Sequence, residues 1–171
     1  MLLIVLLCGV ISQAPTPVPM NQAEEDAILF AVLSDPWLRE FGPEYVVVAR
    51  KTAIPVQTPW LRQTETKFTF ERDGSDKWAE APVELLQSVK DRNKRSMSLG
   101  GSVLPSDGRW CRGSGETVRS CIIVSRPGVT SDGQKAAVAV LAPNLSGWTA
   151  YLERRSSRWQ VVGRGFLFAA G

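Results

Sequence analysis

Histidine is absent from the chain, and its absence removes more chemistry than any other feature of the composition. The usual near-neutral general base is missing, so serine and cysteine hydrolases of the ordinary His-dependent kind are excluded. Zinc sites with imidazole ligands fall with it, and three cysteines are one too few for a four-thiolate site. No glycine-rich dinucleotide loop follows a strand, no Walker loop occurs, and no Ser-x-x-Lys is found. Arg112-Gly-Ser-Gly-Glu116 superficially resembles a nucleophile elbow, but its glycines flank the serine directly. No catalytic residue, metal ligand or cofactor is assigned. Charge excludes a further class: twenty Lys and Arg against seventeen Asp and Glu leave +3, too little to argue for nucleic acid.

No apolar run reaches the roughly 20 residues of a membrane-spanning helix. Residues 1–11 are almost unbrokenly apolar, a length that suits the core of a secretory signal. Small residues at Ser12 and Ala14 offer cleavage points. The basic start of such a signal is missing, which points to a start codon upstream. Cys8 follows Leu7, too bulky a neighbour for a lipoprotein site. The expected organisation is a signal peptide over 1–14, a proline-rich spacer over 15–20 and a single domain over 21–171. Membrane contact is expected only through an uncleaved signal.

The mature chain reads as an α+β domain: an N-terminal helix and a second helix packed on a curved, mainly antiparallel sheet that ends in a four-strand meander. Asn21 with Glu24 forms an amide version of the capping box, and Glu24, Glu25 and Asp26 suit the positive end of the helix dipole. The helix is expected to run until Ser34-Asp35-Pro36 stops it, with Ala27, Ile28, Ala31 and Val32 as one broad apolar face that Leu29 and Leu33 widen. Strands are expected over 44–54 and 65–72. Pro82 opens the second helix, with Leu85, Leu86 and Val89 inward. Lys90, Arg92, Lys94 and Arg95 crowd its far end, as a solvated terminus or as an anion-binding patch. The meander is expected from strands at 119–125, 135–142, 148–154 and 159–168, with 126–128 as a turn. Gly163 and Gly165 mark a bulge in the last strand.

Cys111 and Cys121 flank a flexible stretch, and in an oxidising compartment they read as a disulfide. A redox pair, normally spaced more tightly, and two inert core thiols are the competing readings. Among six tryptophans, Trp148 and Trp159 are read as core. Trp110, between Arg109 and Arg112, is the candidate binding residue, because an aromatic face beside guanidinium groups can stack a sugar or hold an anion.

Ser125-Arg-Pro-Gly128, Asp132-Gly133, the Ala-Val alternation at 137–140, Gly147, Tyr151-Leu-Glu153 and Arg158-Trp-Gln-Val-Val162 together resemble a pattern of poorly characterised exported bacterial proteins. Residues 27–33, 46–52 and Lys90-Asp-Arg-Asn93 fit the same arrangement more loosely. The resemblance implies a small α+β fold of the nuclear transport factor 2 or cystatin type. It implies no activity. The expected function is an exported, periplasmic or extracellular domain that binds a small molecule or an envelope component without catalysis. Two further expectations stand beside it: a His-free carboxylate hydrolase of the cell wall, and a structural accessory subunit of an envelope complex.

Overall fold

Helix α1 (Gln22–Leu33) begins where Asn21 accepts the backbone N–H of Glu24 on its side chain at 2.8 Å. This satisfies one of the first-turn donors that no helical carbonyl can reach. Its core face is the stripe Glu25, Ile28, Leu29, Val32 and Leu33, spaced as successive helical turns require. Of the broad face expected from the sequence, Ile28, Leu29, Val32 and Leu33 are buried and Ala27 is exposed, and a carboxylate occupies the first inward position. Helix α2 (Val83–Arg92) has Pro82 at its cap and buries Leu85 and Val89. A computed structural model provides the coordinates and describes residues 20–41, 47–52, 69–72, 78–111, 121–141 and 147–168. The signal over 1–14, the spacer over 15–19, the strand portions at 44–46, 53–54 and 65–68, and Arg112 lie outside the described residues.

The strands are β1 (Val47–Val48), β2 (Thr69–Arg72), β3 (Trp78–Glu80), β4 (Arg109–Trp110), β5 (Ile123–Val124), β6 (Gly128–Val129), β7 (Lys135–Leu141), β8 (Gly147–Arg155) and β9 (Arg158–Phe168). Seven of them form one sheet in the order β3-β2-β9-β8-β7-β5, with β6 also on β7. Within it β5, β7, β8 and β9 are the expected antiparallel meander. The fold is α+β. Two expectations need correction. The stretch read as a turn over 126–128 already enters β6 at Gly128, and the 44–54 strand is represented by Val47–Val48 and a bridge from Lys51 to Ser98. β3 and the parallel partner of β1, β4, are too short to leave a periodic signal.

Alternate residues of the central strands serve opposite layers. Val138, Val140, Trp148, Ala150 and Leu152 pack with α1, whereas Ala137, Ala139, Tyr151 and Val162 pack with α2. The sheet is thus covered by one helix on each face. Burial pushes the Tyr151 phenol well above its ordinary range. Trp148 meets Trp37 edge to face, centroids 4.7 Å apart. Trp148 and Trp159 both belong to the α1 core, as expected.

Two features set the geometry of β9. Its turn from β8 has positive φ at both central residues, Ser156 at 48° and Ser157 at 66°, the conformation that matches strand twist in two-residue hairpins. Leu152 then pairs with Val161 but Tyr151 with Gly163, so Val162 is an extra residue. The bulge expected near Gly163 is there, and it turns Trp159, Val161 and Arg164 all toward the α1 side of the sheet.

Cys111 and Cys121 are bridged, with Cα atoms 6.2 Å apart, inside the ordinary range of about 4.4–6.8 Å. The bridge closes around β1. The Cys111 N–H donates to the Val48 carbonyl at 2.9 Å, and the Ala49 N–H donates to the Ile122 carbonyl at 2.9 Å. A loop of this length stabilises by about 2–3 kcal/mol through the unfolded chain.

Candidate functional site

After Asp26, α1 runs Ala-Ile-Leu-Phe-Ala-Val-Leu with no polar residue. Two turns of helix without a polar side cannot place all their apolar surface in one core. Ile28, Leu29, Val32 and Leu33 take the core side. Ala23, Ala27, Phe30 and Ala31 face the other way and form one wall of a cleft of about 990 Å³. Phe30 is 44% exposed there. The opposite wall is the start of β9, residues 157–161 together with Arg164.

The cleft is apolar along its length and polar at both ends. Near the start of α1, Asp26 accepts from the Gln22 amide at 2.6 Å and from the Ser102 hydroxyl. At the far end Asp35 is ion-paired with Arg164 and accepts the Trp37 N–H at 3.1 Å. The Arg164 guanidinium lies over the Trp37 ring, 5.0 Å from its centroid. Arg158 stands beside the hairpin turn, and its guanidinium makes no hydrogen bond or ion pair among the described residues.

A second polar assembly lies at the β5–β6 margin of the sheet, and it is closed. Glu25, 1% exposed, accepts from Arg92 at 2.5 Å and from Arg126 through two nitrogens at 2.9 and 3.0 Å. The bond it donates to Glu25 raises the Arg126 guanidinium above its ordinary value. Between β5 and β6 the Ser125 N–H still donates to the Ala139 carbonyl at 2.9 Å, and the chain leaves the ladder at Arg126. The Ser125 hydroxyl takes the Ala139 N–H at 2.9 Å, and the Asn93 amide both accepts from the Arg126 N–H at 2.7 Å and donates to its carbonyl at 2.9 Å. Asn93 also donates to Val89 at 2.7 Å. Gly128 follows because nothing larger fits: a Cβ there would come within 2.5 Å of the Val89 backbone nitrogen. Glu25 is thus more than a first-turn dipole partner, and Arg92 is not part of a solvated terminus. Lys94 at 72% side-chain exposure and Arg95 are exposed as expected.

The residues singled out for binding lie elsewhere. Trp110 packs against the α1 core with its ring beneath Arg50, 5.4 Å from the guanidinium carbon. Arg109 is exposed on β4, and neither residue lines the cleft. Sequence reasoning passed over Phe30, Ala27, Arg158 and Val161. The signal that could have found them is the all-round apolarity of α1. Among the described residues no cluster of metal-ligating side chains occurs, and no helix is long and apolar enough to cross a membrane. No protein-family model matches the chain, and neither a curated protein nor a solved structure matches it.

Proposed function

We propose that this protein is an exported, non-enzymatic binding domain whose ligand occupies the cleft between α1 and β9. One observation carries the reading: α1 is apolar on two sides and only one is packed. The other presents Ala27 and half-exposed Phe30 to an open cleft. A concave, apolar, largely preformed cleft with a few polar groups at its ends is the usual form of a ligand site. Export is supported by the signal-like segment over 1–11 and by the Cys111–Cys121 bridge, which belongs to an oxidising compartment. The resemblance to exported bacterial proteins points the same way, and the residues that carry it, Ser125, Arg126, Gly128 and Asn93, hold the scaffold rather than the cleft.

Titration with 1-anilinonaphthalene-8-sulfonate, an apolar anion, tests the site. Saturable binding that weakens at least about tenfold in Ala27→Trp, a substitution that fills the cleft, is the expected result. Absence of saturable binding, or equal binding by the variant, would refute the assignment.

A further inference from the structure

We propose that the natural occupant of this cleft is an extended peptide segment that adds as a strand beside the first half of β9; the inference rests on the reading of the cleft as the binding site. The phase of the β8–β9 ladder identifies the groups involved. In a two-residue hairpin turn the flanking pair, here Arg155 and Arg158, shares its hydrogen bonds, and the direction then alternates. Gln160 therefore turns its N–H and C=O toward β8, while Trp159 and Val161 turn theirs outward. The next ladder agrees, because the Arg154 N–H donates to Gln134 at 2.9 Å on the β7 side, leaving Glu153 and Arg155 to face β9.

The outward side of β9 is only partly used. β2 covers it at Gly163 and Arg164, opposite Arg72 and Glu71. Among the described residues no strand pairs with β9 on that side at Trp159 or Val161. Both residues line the cleft. Five consecutive residues, 157–161, line it. A cleft lying on the face of a strand touches alternate residues, so contact with every residue places the cleft over the strand's margin.

A margin of backbone groups with no strand partner among the described residues, below an apolar helix flank, recognises an extended chain: main-chain hydrogen bonds supply affinity and pockets for alternate side chains supply selectivity. The helix is about 18 Å long at about 1.5 Å per residue, which matches five or six residues of strand at about 3.3 Å each. Charge sets the preference. Asp35 is paired with Arg164 and Asp26 is held by Gln22 and Ser102, which leaves the Arg158 guanidinium for the ligand. The peptide carries apolar residues toward Phe30 and Ala27 and an acidic residue at the end beside the hairpin turn.

Random heptapeptides displayed on phage are panned on the protein, with the Ala27→Trp variant as counter-selection, and an enriched peptide is synthesised and titrated. Methylation of its backbone nitrogens one at a time should weaken binding about tenfold at alternate positions and little between them, as loss of a main-chain bond implies. Arg158→Glu, an exposed change, should weaken an acidic peptide by a similar factor. Equal losses at every position, no enriched peptide, or indifference to Arg158→Glu would overturn the proposal. If the naphthalene probe binds in the cleft but no peptide is selected, the peptide proposal falls and the cleft assignment stands. If neither binds, both fall.

Discussion

The β5–β6 margin of the central sheet and the first half of β9 treat their outward backbone groups in opposite ways. A strand edge exposes N–H and C=O groups that will pair with any extended chain unless they are covered. At the β5–β6 margin, α2 covers them with side chains. Asn93 takes both groups of Arg126, the Ser88 hydroxyl takes the Val129 N–H at 3.0 Å, and Glu84 takes the Ser131 N–H at 3.3 Å. Helix α2 acts there as a surrogate strand. At the β9 margin the neighbouring helix offers alanines and a phenylalanine, which cannot hydrogen-bond. One helix seals its edge and the other leaves a slot. Polar side chains on α2 and apolar ones on the outer flank of α1 account for the difference.

The largest effect is expected where the sealed margin is anchored. Glu25→Ala removes the one carboxylate between Arg92 and Arg126 and leaves two guanidinium groups without their partner. The cost should be about 3–5 kcal/mol in urea unfolding, as for other broken buried pairs. On the same helix, Ala27→Trp faces the cleft and should change stability by no more than about 0.5 kcal/mol. Comparable losses for both would mean that the two flanks of α1 are equally structural, and the contrast would fail.

How much of this could be read from the sequence varies with the length scale of the signal. Both helices, the meander and the bulge near Gly163 were legible, because each rests on local periodicity or turn chemistry. Glu25 was legible only as a first-turn acid. Its partners Arg92 and Arg126 stand 67 and 101 residues away, and no local pattern records such a meeting. The cleft was missed for a different reason. Trp110 attracts notice as an aromatic between arginines, whereas Ala27 and Ala31 read as part of the inward face until the packed flank is known.

The smallest expected effect is a pH dependence at the tip of the sealed margin. Asp132 accepts from the Thr130 hydroxyl at 2.6 Å and the Gln134 N–H at 2.9 Å. These bonds, the hydroxyl first, hold its carboxyl below the ordinary carboxylate range. Its contribution is therefore present above the unfolded value near 3.9 and is lost as pH falls through the lower folded value. Asp132→Asn should narrow the gap in melting temperature between about pH 6 and about pH 2.5. An unchanged gap would remove Asp132 as a contributor.

The contrast between the margins is tested most directly by hydrogen exchange of single amides in the free protein, followed by NMR. The Arg126 and Val129 amides, bonded to Asn93 and Ser88, should exchange slowly. Along β9, Gln160 should be protected while Trp159 and Val161 on either side of it exchange fast. Equally slow exchange at all three β9 positions would show that the margin is already covered by the chain itself, and the binding slot would not exist.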